Sequence, residues 1–148
     1  IERGDIETVE LLLTNNSTLI KSIYEKQDTA LHLAAMTGKM EIIKLLLKKD
    51  PTLLNQPNRD KETPLRTAIG AGQAEIVKFL LEQGGDIYDK SYWEETPLDY
   101  AIQCGKADIV QLLLQKDTNL VRTKGRFGAQ PIHKAAQEGQ LDIFQLLL

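Results

Sequence analysis

One short pattern recurs at a nearly constant interval along the chain, and it constrains the fold more than any other feature. Its copies begin at Thr29, Thr63, Thr96 and Gln130, so the start-to-start spacings are 34, 33 and 34 residues. A fixed period of this length is typical of solenoids, in which each unit packs only on its neighbours. The sequence therefore predicts one continuous stack of repeats.

Two motifs make up the pattern. The first is the T-P-L-H-x-A-A type, seen as T-A-L-H-L-A-A in residues 29–35, and the second is the G-x-x-[DE]-[IV]-[IV]-x-x-L-L type. Copies of the second motif, some with single departures, start at Gly4, Gly38, Gly72, Gly105 and Gly139. On these motifs, which cover essentially all 148 residues, the chain resembles the ankyrin-repeat family.

The resemblance implies an all-α ankyrin-repeat solenoid of helix-turn-helix units joined by hairpin-like loops. We expect a partial repeat over residues 1–24 and further repeats over 25–58, 59–91, 92–125 and 126–148. Because the chain begins in the middle of a repeat and without methionine, we expect it to be an excerpt of a longer protein.

The second full repeat illustrates the predicted local structure. Thr63 is a good helix cap and Pro64 suits the first helical position, so a short helix should begin there. Gly72 should end it, because glycine adopts a left-handed conformation at low cost. A longer helix is predicted over about residues 74–82, with a solvated face formed by Glu75, Lys78 and Glu82.

The turn after each longer helix has its own signature. Asp50, Gly84 and Asp117 stand 21 residues after the start of their repeats, and Asn16 aligns with them. Glycine, asparagine and aspartate tolerate a left-handed conformation, so we expect slight strain at the two aspartates. An apolar residue follows each turn and is predicted to join the core between repeats: Leu19, Leu53, Ile87 and Leu120.

The hairpin-like loops, or fingers, differ from one another while the framework repeats. This contrast indicates that their tips, residues 25–28, 59–62, 92–95 and 126–129, carry the specificity. Two tips hold aromatic residues: Tyr92 and Trp93 in one, and Phe127 in the next. Such rings beside arginine favour a protein-binding hot spot. The alternative is that Trp93 folds back over a neighbouring loop.

The family resemblance implies a second recognition surface, the concave face of the short helices. By alignment this face includes Met36, Thr37, Gly70, Ala71, Gln103, Cys104, Gln137 and Glu138. Gly70 and Ala71 are expected to leave a shallow depression beside the Trp93 finger. The residues predicted to bind a partner are Arg59, Asp60, Gly70, Ala71, Tyr92, Trp93, Glu95, Gln103, Cys104, Arg126 and Phe127.

No set of residues predicts catalysis, a metal or a cofactor. His32 and His133 lie three repeats apart, and at about 10 Å per packed layer they cannot converge on one site. Arg66 and Asp99 replace histidine in the two middle repeats, and we expect them to form an exposed ion pair. Cys104, the single cysteine, excludes an internal disulfide; a small side chain near a helix end is favoured over a reactive thiol.

The resemblance implies a module that binds a partner protein, expected to be monomeric and cytoplasmic. An alternative is the targeting arm of a larger enzyme or bacterial effector, which would act in the host cytosol. Another is nucleotide or single-stranded RNA binding, with Trp93 or Phe127 stacking on bases beside Arg126. The net charge of −3, from 18 basic and 21 acidic residues, gives no field that favours nucleic acid or a membrane. No apolar run reaches the roughly 18 residues of a membrane span.

Overall fold

A computed structural model describes residues 28–148 as four pairs of antiparallel helices, with no strand among them. The first-repeat copy at 4–13, Asn16, Leu19 and finger residues 25–27 lie outside the described residues. The short helices are α1 (Ala30–Thr37), α3 (Pro64–Gly70), α5 (Pro97–Gln103) and α7 (Pro131–Gln137). The longer helices are α2 (Met40–Lys49), α4 (Ala74–Glu82), α6 (Ala107–Lys116) and α8 (Leu141–Leu147).

The predicted boundaries of α3 and α4 are confirmed. The Thr63 hydroxyl accepts a hydrogen bond from the Arg66 N–H (3.4 Å), and Pro64 is the first helical residue. Gly72 has a φ of 70°, and its N–H donates to the Ile69 carbonyl at 3.0 Å. This left-handed glycine reverses the chain so sharply that α4 begins at Ala74 and packs on α3.

The core runs without interruption along the stack, because each helix pair packs on the next. In α3 the residues Leu65, Ala68 and Ile69 are fully buried, and each has an equivalent in the neighbouring short helices. Full burial of an aliphatic side chain contributes about 1.5–3 kcal/mol, so the stack is held mainly by these layers. Leu53 and Leu120 are also buried, as predicted, whereas Ile87 is half-buried against the core.

The strain expected at Asp50 and Asp117 is absent. Both residues are extended, with φ values of −141° and −153°, and only Gly84 takes the left-handed conformation. Their carboxylates instead accept hydrogen bonds from the N–H groups two residues later and start 3₁₀-helical turns at Pro51–Asn55 and Thr118–Arg122. The expectation was wrong because each aspartate stays extended and caps the following turn with its side chain, so no left-handed conformation is needed.

The loop after Gly84 has no such helical turn. It is also one residue shorter than the loops after the two aspartates, so the extra residue and the 3₁₀ turn occur together. No helix among residues 28–148 is long and apolar enough to cross a membrane.

Candidate functional site

Each described finger is a five-residue hairpin that projects from the start of a short helix. We call residues 58–62, 91–95 and 125–129 the second, third and fourth fingers. In each, the N–H of the first residue donates to the carbonyl of the fifth, at 2.9, 3.1 and 2.8 Å respectively. The tips contain left-handed residues, which hold the tip side chains out towards solvent: Lys61, Glu94, Phe127 and Gly128.

Side-chain braces stiffen two of these fingers. The Asn58 side-chain oxygen accepts from the N–H groups of Asp60 and Glu62, both at 2.9 Å. The Ser91 hydroxyl does the same for Trp93 and Glu95, at 3.1 and 3.4 Å. Gly125 takes this position in the fourth finger and supplies no brace.

Close packing explains the glycine at the base of the fourth finger. A Cβ on Gly125 would lie 3.3 Å from Oδ2 of Asp99 and 3.5 Å from the carbonyl oxygen of Glu94. The φ of Gly125 is −88°, which any residue adopts, so lack of space and not backbone conformation favours glycine here. The fourth finger therefore lies directly against the Asp99 carboxylate and the third finger.

A second kind of bond ties a finger to the preceding repeat. Nδ1 of His32 accepts from the Thr29 N–H, so Nε2 carries the proton and donates to the Glu62 carbonyl at 2.8 Å. One repeat later, Nη1 of Arg66 donates to the equivalent Glu95 carbonyl at 3.0 Å. His32 thus tethers the second finger and Arg66 tethers the third. Both residues occupy the same position in their repeats, three residues after Thr29 and Thr63.

The prediction of an exposed ion pair between Arg66 and Asp99 is wrong. Arg66 is only 2% exposed and pairs with Glu95, whose carboxylate oxygen Oε2 lies 3.9 Å from Nη2. The other carboxylate oxygen of Glu95 pairs with Lys134 of α7. Arg66 reaches the next finger because its side chain is long, and Glu95 consequently bridges two repeats.

Asp99 cannot provide a tether to the fourth finger, because a carboxylate has no proton to donate. It is 4% exposed, and Oδ2 accepts hydrogen bonds from the Thr96 N–H (3.0 Å) and hydroxyl (2.9 Å). The structure shows no hydrogen bond to Oδ1 and no ion pair to Asp99 from any other residue in 28–148.

Cations lie over the exposed rings of the fingers. The Arg126 guanidinium is 5.5 Å from the centre of the Trp93 ring and 4.8 Å from that of Phe127. Lys61 lies 4.5 Å above Tyr92. Trp93 remains 62% exposed and Phe127 92% exposed, so the alternative in which Trp93 is buried by a neighbouring loop is not what the structure shows.

Two cavities flank Trp93. The larger, about 630 Å³, lies between the third and fourth fingers and has Asp99 in its wall; we call it the Asp99 cavity. The smaller, about 440 Å³, lies between the second and third fingers and has Arg66 and Tyr100 in its wall. Of the residues predicted to bind a partner, the cavities bring together Asp60, Tyr92, Trp93, Glu95, Gln103, Arg126 and Phe127.

The other predicted residues, Arg59, Gly70, Ala71 and Cys104, line neither cavity. The depression expected at Gly70 is occupied by Tyr100, whose hydroxyl oxygen lies 2.7 Å from where a Cβ of Gly70 would be. Cys104 is half-buried, and burial raises the pKa of its thiol, which opposes formation of a reactive thiolate.

The two histidines make hydrogen bonds within the repeat framework. Burial lowers the pKa of His32, which keeps its imidazole neutral in its framework hydrogen bonds. His133 accepts from the Gln130 N–H at 3.0 Å in the last repeat. Within the described part of the chain, no three His, Cys, Asp or Glu side chains are arranged to hold a metal ion.

Sequence reasoning missed two charged residues of the larger cavity, Asp99 as its buried acid and Lys134 as the partner of Glu95. The signal for Asp99 was present, because an acid stands where another repeat has histidine. The contact between Lys134 and Glu95 had no signal in the sequence, because the two residues lie 39 positions apart and in no repeated register.

The geometry defines a helical-repeat protein with cavities between its fingers, and the family comparison agrees on the class. The family model described as ankyrin repeats (3 copies) matches residues 1–91 and 86–148. Because these matches span the chain, the protein belongs to the ankyrin-repeat family, as its sequence motifs predicted. Ankyrin repeats are generally protein–protein interaction modules and typically non-catalytic. No curated protein matches the chain.

Proposed function

We propose that this array recognises a partner protein through the third and fourth fingers and the concave face between them. The observation that carries the proposal is the exposure of Trp93 and Phe127 beside the larger cavity. Aromatic residues and arginine dominate the energetics of protein interfaces. The rings bury large areas with few rotatable bonds, and the planar guanidinium of arginine donates several hydrogen bonds and stacks on rings. In the unbound chain Arg126 lies over both rings, so the three side chains form one exposed cluster.

The shape of the surface supports a side-chain-into-cavity mode of recognition. Trp93 stands between the two cavities and lines both, as do Glu95 and Gln103. A partner segment that crosses the third finger can therefore place one side chain on either side of Trp93. The polar groups of the cavity walls then satisfy the backbone of that segment.

The charges of the site disfavour single-stranded nucleic acid. The smaller cavity has three acids and one arginine in its lining, Asp60, Glu62, Glu95 and Arg66. The larger cavity has two acids and two cations, Glu95, Asp99, Arg126 and Lys134, so neither is a positively charged groove. Stacking of bases on Trp93 would bring phosphates close to these carboxylates, whereas single-strand sites combine their aromatic rings with a positively charged groove. We therefore retain a protein as the partner, and the single cysteine fits a reducing, intracellular compartment.

The test is a pull-down with the 148-residue chain, followed by affinity measurement of the captured partner on Trp93→Ala. Loss of a hot-spot ring costs about 2 kcal/mol or more, so affinity should fall roughly 30-fold. The melting temperature should hardly change, because Trp93 is mostly exposed. Tyr88→Ala is the control for binding, since Tyr88 is an exposed ring that lines neither cavity. It also removes the hydrogen bond from the Tyr88 hydroxyl to Asp117 (2.6 Å), so its melting temperature is not compared.

Normal binding by Trp93→Ala together with a melting temperature many degrees lower would show that Trp93 is a packing residue. The recognition surface would then have to lie on the short helices, away from the fingers. Equal loss of binding in Trp93→Ala and Tyr88→Ala would also contradict the proposal, because it would indicate a general effect of removing surface rings.

A further inference from the structure

We infer that the Asp99 cavity receives a basic side chain, arginine or lysine, from the partner protein. This inference rests on the proposed function and specifies the chemistry of the residue that enters between the third and fourth fingers. It follows from the buried carboxylate of Asp99, from the charges around it and from the aromatic rings above it.

The carboxylate of Asp99 is the first reason. It is 96% buried, yet it has no basic partner among residues 28–148, and Thr96 alone bonds to one of its oxygens. Oδ1, the oxygen without a hydrogen bond, is not wholly buried, so a cation from outside can reach it. The unused oxygen and the position of Asp99 in the cavity wall make this the place where a cation from outside completes the pair.

The neighbouring charges do not cancel this preference. Lys134 also lines the cavity, but its ammonium group is paired with Glu95. Glu95 in turn pairs with Arg66, so one carboxylate serves both cations and neither lies within ion-pair distance of Asp99. Asp99 is therefore an acid of the cavity that no cation among residues 28–148 approaches within ion-pair distance. The guanidinium of Arg126, which also lines the cavity, lies over the rings of Trp93 and Phe127.

The aromatic rings are the second reason. Trp93 and Phe127 both line the cavity, and each already has a cation over it. A tryptophan face attracts guanidinium and ammonium groups by its quadrupole. Arg126 is therefore an intramolecular competitor: it covers the rings in the unbound chain and must share or leave them when a basic residue enters. An acidic ligand would need Arg126 as its partner, so the effect of removing Arg126 distinguishes the two kinds of ligand.

The experiment uses four acetylated and amidated tripeptides, Gly-Arg-Gly, Gly-Lys-Gly, Gly-Gln-Gly and Gly-Glu-Gly, titrated at constant ionic strength. The probe is the NMR signal of the indole N–H of Trp93, the single tryptophan of the chain. The arginine and lysine peptides should give saturable shifts, and the glutamine and glutamate peptides should not.

Two variants of the full chain test the residue assignment. Asp99→Asn keeps an acceptor for Thr96 but removes the charge, so binding of the arginine peptide should weaken about tenfold or more. Arg126→Gln should strengthen it, because the competitor is gone. A melting curve of Asp99→Asn close to that of the unmodified chain confirms that the comparison is between folded proteins.

Three results would overturn the inference: no saturable shift with either basic peptide, equal or tighter binding of the glutamate peptide, or unchanged arginine binding in Asp99→Asn. Its failure is separable from failure of the proposed function. If basic peptides do not bind but Trp93→Ala still weakens the natural partner, only the inference falls. If Trp93→Ala leaves the natural partner unaffected, the proposed function falls, whatever the tripeptides show.

Discussion

Arg66 offers the sharpest test of how this array holds its fingers. The chain puts a guanidinium at a position where another repeat has histidine, and the group is almost wholly buried. It donates to the Glu95 carbonyl at 3.0 Å, lies 5.0 Å from the centre of the Tyr100 ring and faces the Glu95 carboxylate. Arg66→Ala removes all three interactions and leaves the space of the side chain empty.

The expected cost follows from these contacts. A hydrogen bond from a charged donor contributes about 1.5–3 kcal/mol, and each buried methylene of the stem contributes about 0.8 kcal/mol. Arg66→Ala also removes the free-energy cost of holding a guanidinium away from water, and this gain offsets part of the lost stability. We expect a net loss of about 3 kcal/mol, and at roughly 3 °C per kcal/mol for a chain of this size the melting temperature falls by about 10 °C.

Two control variants separate the contributions in thermal and urea unfolding. Arg66→Met keeps an apolar stem without a donor and should lose about 2 kcal/mol. Arg66→His can repeat the bond that His32 makes to Glu62, so it should cost about 1 kcal/mol or less. In Arg66→Met, hydrogen exchange at Ser91, whose N–H shares the Glu95 carbonyl, should accelerate. Melting within a degree for all three variants would refute the idea that this tether stabilises the array.

Two further predictions concern pH and the end of the stack. Because burial lowers the pKa of His32 below the ordinary 6.5, the unfolded chain binds its proton first as pH falls, so stability should decline from about pH 6.5 down to the lowered value. His32→Arg should flatten this decline in melting temperatures measured at several pH values, and an unchanged slope would contradict the assignment. In α8, where Leu141 and Leu146 are exposed, amide hydrogens should exchange faster than in α4. Equal protection would mean that another surface covers this end.

Most of the fold was predictable because its signals are local and repeated. The threonine and proline that start a short helix, and the glycine that ends it, act within a few residues of themselves, so the bounds of α4 followed directly from the sequence. The apolar spacing within each helix also fixed its buried face. The period then placed neighbouring repeats side by side without any tertiary information.

The errors lie where a side chain chooses among several partners. Arg66 was expected to meet an acid in the equivalent position of the next repeat, but a backbone carbonyl and Glu95 lie within its reach. The depression at Gly70 was lost because Tyr100, one repeat later, turns its hydroxyl into it. Residue spacing gives the layer in which a side chain lies, and it does not give the rotamer that decides the contact.

One substitution can test both the framework and the cavity. Asp99→His should place an N–H against the Ala129 carbonyl, as His32 does for the Glu62 carbonyl, and so tether the fourth finger. A net hydrogen bond contributes about 1 kcal/mol, so the variant should melt a few degrees higher. The same change removes the carboxylate from the cavity, so the arginine tripeptide should bind about tenfold or more weakly. If Asp99 served only packing, its replacement would not raise the melting temperature while lowering the affinity for the tripeptide. If Asp99→His both destabilises the chain and leaves tripeptide binding intact, Asp99 is a framework residue and the cavity owes its preference to other groups.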